Sequence, residues 1–178
     1  CIRDSRIRAQ QFVEVRARVE GYLEQMLFAE GTYVNKNQVL FVINQEQYRA
    51  KADKARAQLK KDEAQALKAQ RDFERIKPLY AQNAASQLDL DNAEAAYESA
   101  VATVAMSEAD LAQAEMELGY TLVRSPLSGH ISERNVDLGT LVGPGAKSLL
   151  ATIVKSDTVL VDFNMTALDY LKSKERNI

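Results

Sequence analysis

The side chains able to do chemistry are few and poorly placed for it. His130 is the only histidine, and it stands in a serine- and glycine-containing turn. No second histidine, cysteine or acidic cluster stands near it in the sequence to complete a metal site. A nucleophile, base and carboxylate set around that one histidine is not apparent. No glycine-rich stretch followed by Lys-Ser or Lys-Thr is present to cradle a phosphate. Adjacent carboxylates such as Asp62-Glu63 belong to a strongly helical stretch and read as surface charge. Cys1 is the single cysteine, so an internal disulfide is excluded. At the first position it reads either as the lipid-bearing residue of a mature lipoprotein or as a fragment boundary. The residue types therefore point away from catalysis and imply no cofactor and no metal. More local roles fit better. Ser86 with Asp89 three residues on is spaced as a helix N-cap with an acidic third position. Arg75, taken alone, reads as a solvated charge on a helix face.

The elements that carry these residues are legible from periodicity. From about Gln45 to Leu118 there is one proline, Pro78, no glycine, and recurrent alanine. Tyr48, Ala52, Ala55, Leu59, Asp62, Ala66, Ala69, Phe73, Ile76 and Tyr80 alternate fours and threes. After a break at Gln82-Asn83-Ala84-Ala85, the alternation resumes at Leu90 and runs through Ala93, Tyr97, Ala100, Val104, Ser107, Leu111 and Ala114 to Leu118. This is a heptad seam in which only Asp62 and Ser107 are off type. Asp62 and Ser107 could each be a register device or a solvated position where the helices splay. Two helices joined by so short a break run antiparallel, each about 50 Å long. An arm of that length is expected to project from a smaller body.

Around the hairpin the period changes to two. Phe12, Val13, Val15 and Val19 alternate with charged residues, and short apolar runs broken by glycine follow to Ile43. The β signal returns after Tyr120, and with it a repeat. Gly21-Tyr22-Leu23 matches Gly129-His130-Ile131, then Gly31 matches Gly139, Val34 matches Val142, and Val39-Leu40 matches Leu149-Leu150. Each repeated glycine suits a turn that needs positive φ or close backbone approach. Neither copy is large enough to bury a core alone, so the two are expected to pack face to face as one sandwich. Lys155-Ser156-Asp157 reads as a turn, Val159 to Phe163 as a strand with only residues 1–11 left to pair with, and Thr166 to Lys174 as a short helix.

Composition narrows the function. Among 178 residues the formal net charge is −2, so no nucleic acid or other polyanion is implied as a partner. No run of about 18 apolar residues is present to cross a bilayer. The four methionines, Met26, Met106, Met116 and Met165, are scattered rather than clustered as for a metal relay.

The split β unit with a heptad hairpin between its halves resembles the periplasmic adaptor, or membrane fusion, proteins of tripartite resistance-nodulation-division efflux pumps. The resemblance rests on Val13 through Leu23, Phe28-Ala29-Glu30-Gly31, Leu40 through Ile43, and Leu122 through Ile131. It implies an α+β chain: a split lipoyl/biotinyl-like β-sandwich, a long antiparallel coiled-coil hairpin, and a fragment of a β-barrel domain. The implied boundaries are 12–44 and 119–154 for the lipoyl-like halves, 45–118 for the hairpin with its tip at about 78–87, and 1–11 with 155–178 for the partial barrel. It also implies a periplasmic protein, held at the inner membrane, that joins an inner-membrane transporter to an outer-membrane channel and forms a homo-oligomeric ring. In that family an arginine, a leucine four later and a serine seven beyond it dock on the channel. Arg75, Leu79 and Ser86 have that spacing here, although Pro78 inside the motif departs from several members. Leu59, Phe73, Tyr97, Val104, Leu111 and Leu118 are the main seam residues, and Gly21, Gly31, Gly129 and Gly139 the lipoyl-like turns. Two other classes stay open: an adaptor of an ATP-driven exporter or type I secretion system, and a lipoyl/biotinyl carrier subunit with a coiled-coil arm. Against the second, a carrier presents its lysine on a tight hairpin between the halves, where this chain has the coiled coil.

Overall fold

The computed structural model describes residues 5–145 and 148–163, with side chains at 11–145 and 148–155. Cys1 and the helix expected over Thr166 to Lys174 lie outside the described residues. The chain divides into two compact units: Asn44–Leu122, and the strands on either side of it in sequence.

Among the described residues the β unit holds eight strands: β1 (Ser5–Arg16), β2 (Gly21–Met26), β3 (Tyr33–Val34), β4 (Val39–Ile43), β5 (Leu122–Arg124), β6 (Gly129–Arg134), β7 (Leu141–Val142) and β8 (Leu149–Phe163). They form two four-stranded sheets, ordered β1-β8-β6-β3 and β5-β4-β2-β7. The sequence copies therefore do not supply one sheet each, as a face-to-face packing of copies would have it. Each sheet mixes both halves, because the short strand after each glycine turn crosses to the other half. Gly21 pairs with Val142, and Gly129 pairs with Val34. Two-residue strands cannot hold a ladder by themselves, so each is secured by a partner that the other half supplies.

The backbone hydrogen bonds repeat accordingly. Gly31 N–H donates to Ile131 O at 3.0 Å, and Gly139 N–H to Leu23 O at 2.8 Å. Ala17 N–H donates to Ser148 O at 2.7 Å, and Ser125 N–H to Gln38 O at 2.9 Å. Gly31 and Gly139 have φ of +75° and +80°, the left-handed region that side chains with a Cβ rarely adopt. The core repeats as well: Leu23 with Ile131, Val34 with Val142, Leu40 with Leu150 and Ile43 with Ile153 are all buried. Gly129 serves a different need, since a Cβ there would stand 2.5 Å from the Val154 carbonyl oxygen.

The turn expected at Lys155-Ser156-Asp157 is absent, and β8 runs through it. Its ladder with β1 is antiparallel from Ser5↔Phe163 to Arg16↔Leu149. Between Ala9↔Val159 and Gln11↔Lys155 the register shifts, so Lys155 stays paired while Ser156, Asp157 and Thr158 stand opposite Gln10 alone in a bulged strand.

The helical unit comprises α1 (Glu46–Ala81) and α2 (Gln87–Tyr120). All named seam positions except Tyr80 are half-buried or buried, while most of their neighbours are exposed. Phe73 and Tyr97 stack across the seam with ring centroids 6.2 Å apart. At the open end, Gln45 Nε2 donates to Thr121 Oγ1 at 2.9 Å, and that hydroxyl donates to Leu118 O at 2.6 Å. Thr121 is fully buried, so this bond ties the start of α1 to the end of α2.

Candidate functional site

The turn joining the helices is capped on both sides. α1 ends in a Schellman arrangement: Ala84 N–H donates to Leu79 O at 2.8 Å and Asn83 N–H to Tyr80 O at 2.9 Å. Asn83 supplies the left-handed residue, with φ of +58°, which asparagine tolerates better than most side chains. α2 begins with a capping box. Asp89 N–H donates to Ser86 Oγ at 3.2 Å, and Ser86 N–H to Asp89 Oδ2 at 3.1 Å. The Ser86 hydroxyl, and after it the Ser86 backbone N–H, hold the Asp89 carboxyl below its ordinary range. Pro78 lies in the last turn of α1, where its carbonyl still accepts from Gln82 N–H at 3.2 Å.

Arg75, Leu79 and Ser86 are all exposed on this double-capped turn. Arg75 and Leu79, one turn apart, share a face of α1. Arg75 makes an exposed ion pair with Asp72 at 3.5 Å, too weak to hold it from a partner. Leu79 keeps 39% of its surface exposed and Leu88 keeps 68%. Tyr80, half-exposed beside them, ends the seam rather than closing it. Leu88 is absent from the sequence-derived tip. The signal was available: it falls between Ser86 and the first seam residue, Leu90, where nothing in the hairpin can bury it.

Mid-hairpin, the two off-type seam residues meet. Asp62 and Ser107 are 7% and 4% exposed, and with Ala52 they are the only buried residues of the two helices. Ser107 Oγ donates to Asp62 Oδ2, and Gln58 Nε2 donates to both Asp62 oxygens at 3.0 and 2.9 Å. Those two donors, Ser107 first, hold the Asp62 carboxyl below its ordinary value, with a smaller contribution from Lys61 and against the opposing effect of burial. The solvated, splayed reading of this pair is thereby overturned.

His130 is exposed, edge-on to Tyr33 with centroids 5.4 Å apart, and its Nδ1 is 3.3 Å from Gly31 O. Among the described residues no group of three or more His, Cys, Asp or Glu is arranged to hold a metal. No described helix is long and apolar enough to cross a membrane.

Comparison with known proteins agrees. Residues 11–154 match the domain described as RND MFP, barrel-sandwich hybrid domain. The efflux pump periplasmic linker BepD of Brucella suis biovar 1 (strain 1330) is 41% identical over 163 residues, 91% of this chain and 41% of the relative. The multidrug efflux pump subunit AcrA of Escherichia coli (strain K12) is 34% identical over 170 residues, 96% of this chain and 43% of the relative. The chain thus spans about two fifths of the length of these curated relatives. In fold, it resembles a MacA–MexA chimera carrying the Pseudomonas aeruginosa MexA α-hairpin domain, with a TM-score of 0.66 at 24% identity, over 96% of this chain and 59% of that one. A barrel-sandwich unit split by a long helical hairpin, matched along most of its length, places this chain in the RND membrane fusion protein family.

Proposed function

We propose that this chain is the sandwich-and-hairpin portion of a periplasmic adaptor that joins an inner-membrane efflux transporter to an outer-membrane channel. It performs no chemistry, and the hairpin tip is its channel-docking surface. The observation that carries this is the exposure of Leu79, Leu88 and Arg75 on a turn fixed by caps on both sides. Exposed apolar side chains on a rigid turn favour docking, because little conformational entropy is lost on binding. An apolar anchor beside an arginine suits a helical partner end with free carbonyls and carboxylates.

The test compares Leu79→Asp with Leu111→Asp in the full-length protein in cells. The first places a charge in the proposed contact and leaves the seam intact. Efflux and cross-linking to the channel should both be lost, with a melting temperature near wild type. Leu111→Asp charges the seam instead and should lower that temperature. Arg75→Ala should be milder, about 1 kcal/mol or less for an exposed charge. Full efflux and full cross-linking by Leu79→Asp would show that the channel binds elsewhere.

A further inference from the structure

The hairpin seam is fixed at two crossings and thin between them. Asp62 meets Ser107, and about three turns further along α1 Phe73 stacks on Tyr97. Between these crossings the seam residues include Ala66 and Ala69 on α1 and Ala100 on α2. A methyl group cannot fill the space that an aromatic ring fills, and packing there is incomplete. The result is a hollow of about 230 Å³ on one side of the seam, floored by Ala66 and lined by Glu63, Leu67, Gln70, Tyr97, Val101 and Val104.

Two of the lining residues break the pattern of their own rows. At heptad spacing α1 carries Glu46, Asp53, Lys60, Leu67 and Glu74, and only Leu67 is uncharged. In the same way α2 carries Glu94, Val101, Glu108 and Glu115, and only Val101 is not acidic. These two residues keep 47% and 45% of their surface exposed, and both border the hollow. Outward rows that turn apolar only beside a hollow mark a contact with something outside the hairpin's own packing. The rim is acidic. Glu108 follows Ser107 as Glu63 follows Asp62, which sets both carboxylates at one end of the hollow. Among the described residues neither has an ion-pair partner. At the other end Glu74 accepts from the neutral Gln70 amide at 2.9 Å. Of the nearby cations, Lys60 forms no ion pair with Glu63, and Lys77 lies over the Phe73 ring at 5.7 Å.

We propose that this hollow binds a small hydrophobic cation, an amine carried on an apolar body. The body lies against Leu67, Val101 and Val104, and the charged end meets Glu63 and Glu108. Size sets the class of occupant. The two crossings bound a length of about 16 Å, and about 230 Å³ takes a ring or a short alkyl chain, not a helix. Charge sets the sign. No lining residue is basic, so carboxylates at the rim attract a cation and repel an anion. The site is on the side of the hairpin and does not rest on the tip as a docking surface.

The test is titration of the full chain, with its leucine and valine methyl groups followed by NMR. The probes are phenylbutylammonium and phenylbutyrate, which share an apolar body and carry opposite charge. The amine should shift the Leu67, Val101 and Val104 methyl signals saturably, at about millimolar concentration for so open a site. Phenylbutyrate should bind at least about fivefold more weakly, the effect of one exposed charge contact. Glu63→Gln/Glu108→Gln should weaken the amine by about fivefold or more and leave phenylbutyrate no weaker. Val101→Gln should abolish saturation by the amine, with helix content by circular dichroism equal to wild type. Shifts that do not saturate at these methyl groups would overturn the proposal. So would equal affinity for the two probes, or full affinity for the amine in either variant. Leu79→Asp should bind the amine like wild type, so failure of the tip as a docking surface and failure of this site are separately readable.

Discussion

Asp62 and Ser107 show how a residue that breaks a pattern can be the one that specifies it. A leucine at position 62 would add apolar area to the seam, at roughly 25 cal/mol per Å². It would also strand the buried Ser107 hydroxyl, which costs about 1–3 kcal/mol when a partner is removed. Asp62→Leu alone is therefore expected to melt below the double variant Asp62→Leu/Ser107→Ala, in which neither polar group remains. Thermal unfolding of the pair measures this, and equal melting temperatures would show the contact to be energetically idle. Proton linkage gives a second handle. The folded-state carboxyls of Asp62 and Asp89 are both held below their ordinary value. Their contribution is complete above the unfolded carboxylate range, near pH 4, and is lost as pH falls through the lower folded values. Replacing both by asparagine should flatten the acid limb of hairpin stability, followed by helicity against pH. The sequence marks Asp62 and Ser107 as off type, yet it cannot show that they touch, because contact across a hairpin depends on register.

At the scale of elements, what could be read depended on how local the determinant was. The seam is set by spacing within each helix, and the break at Gln82 to Ala85 by the loss of that spacing. Gly31 and Gly139 are legible for the same reason: a positive φ is a property of one residue. Gly31→Val and Gly139→Val should each destabilise the β unit by about 1 kcal/mol or more, and by similar amounts, because the two turns make the same hydrogen bonds. Denaturant melts of the two variants would test this, and tolerance of valine at either site would contradict it. Pairing between distant strands is not local, and there the sequence misleads. Nothing in Tyr33-Val34 announces that it pairs with Gly129-His130. Nor does Lys155-Ser156-Asp157 announce that it continues a strand, because polar turn residues and a polar bulge look alike.

At the scale of the whole molecule, each unit takes part of its structure from each side of the Gln82 to Ser86 turn. A chain cut between Asn83 and Ala84 is therefore expected to stay assembled. The two fragments, expressed separately, should each lack cooperative unfolding and should regain it when mixed. A first fragment that folds alone would contradict the crossed pairing of β2 with β7 and β3 with β6. The same crossing sets a schedule for synthesis. β1 to β4 emerge well before β6 and β7, and at ribosomal speeds of about 5–20 residues per second the wait is several seconds or more. Through that interval the first four strands have no finished sheet to join. The intervening helices need only near neighbours to form, and local contacts form fastest. Once the seam has zipped and Gln45 has met Thr121, a long connecting loop has become a short one, and most of its closure entropy has already been met. The hairpin thus acts as a timer and a clasp for the folding of the strands on either side of it.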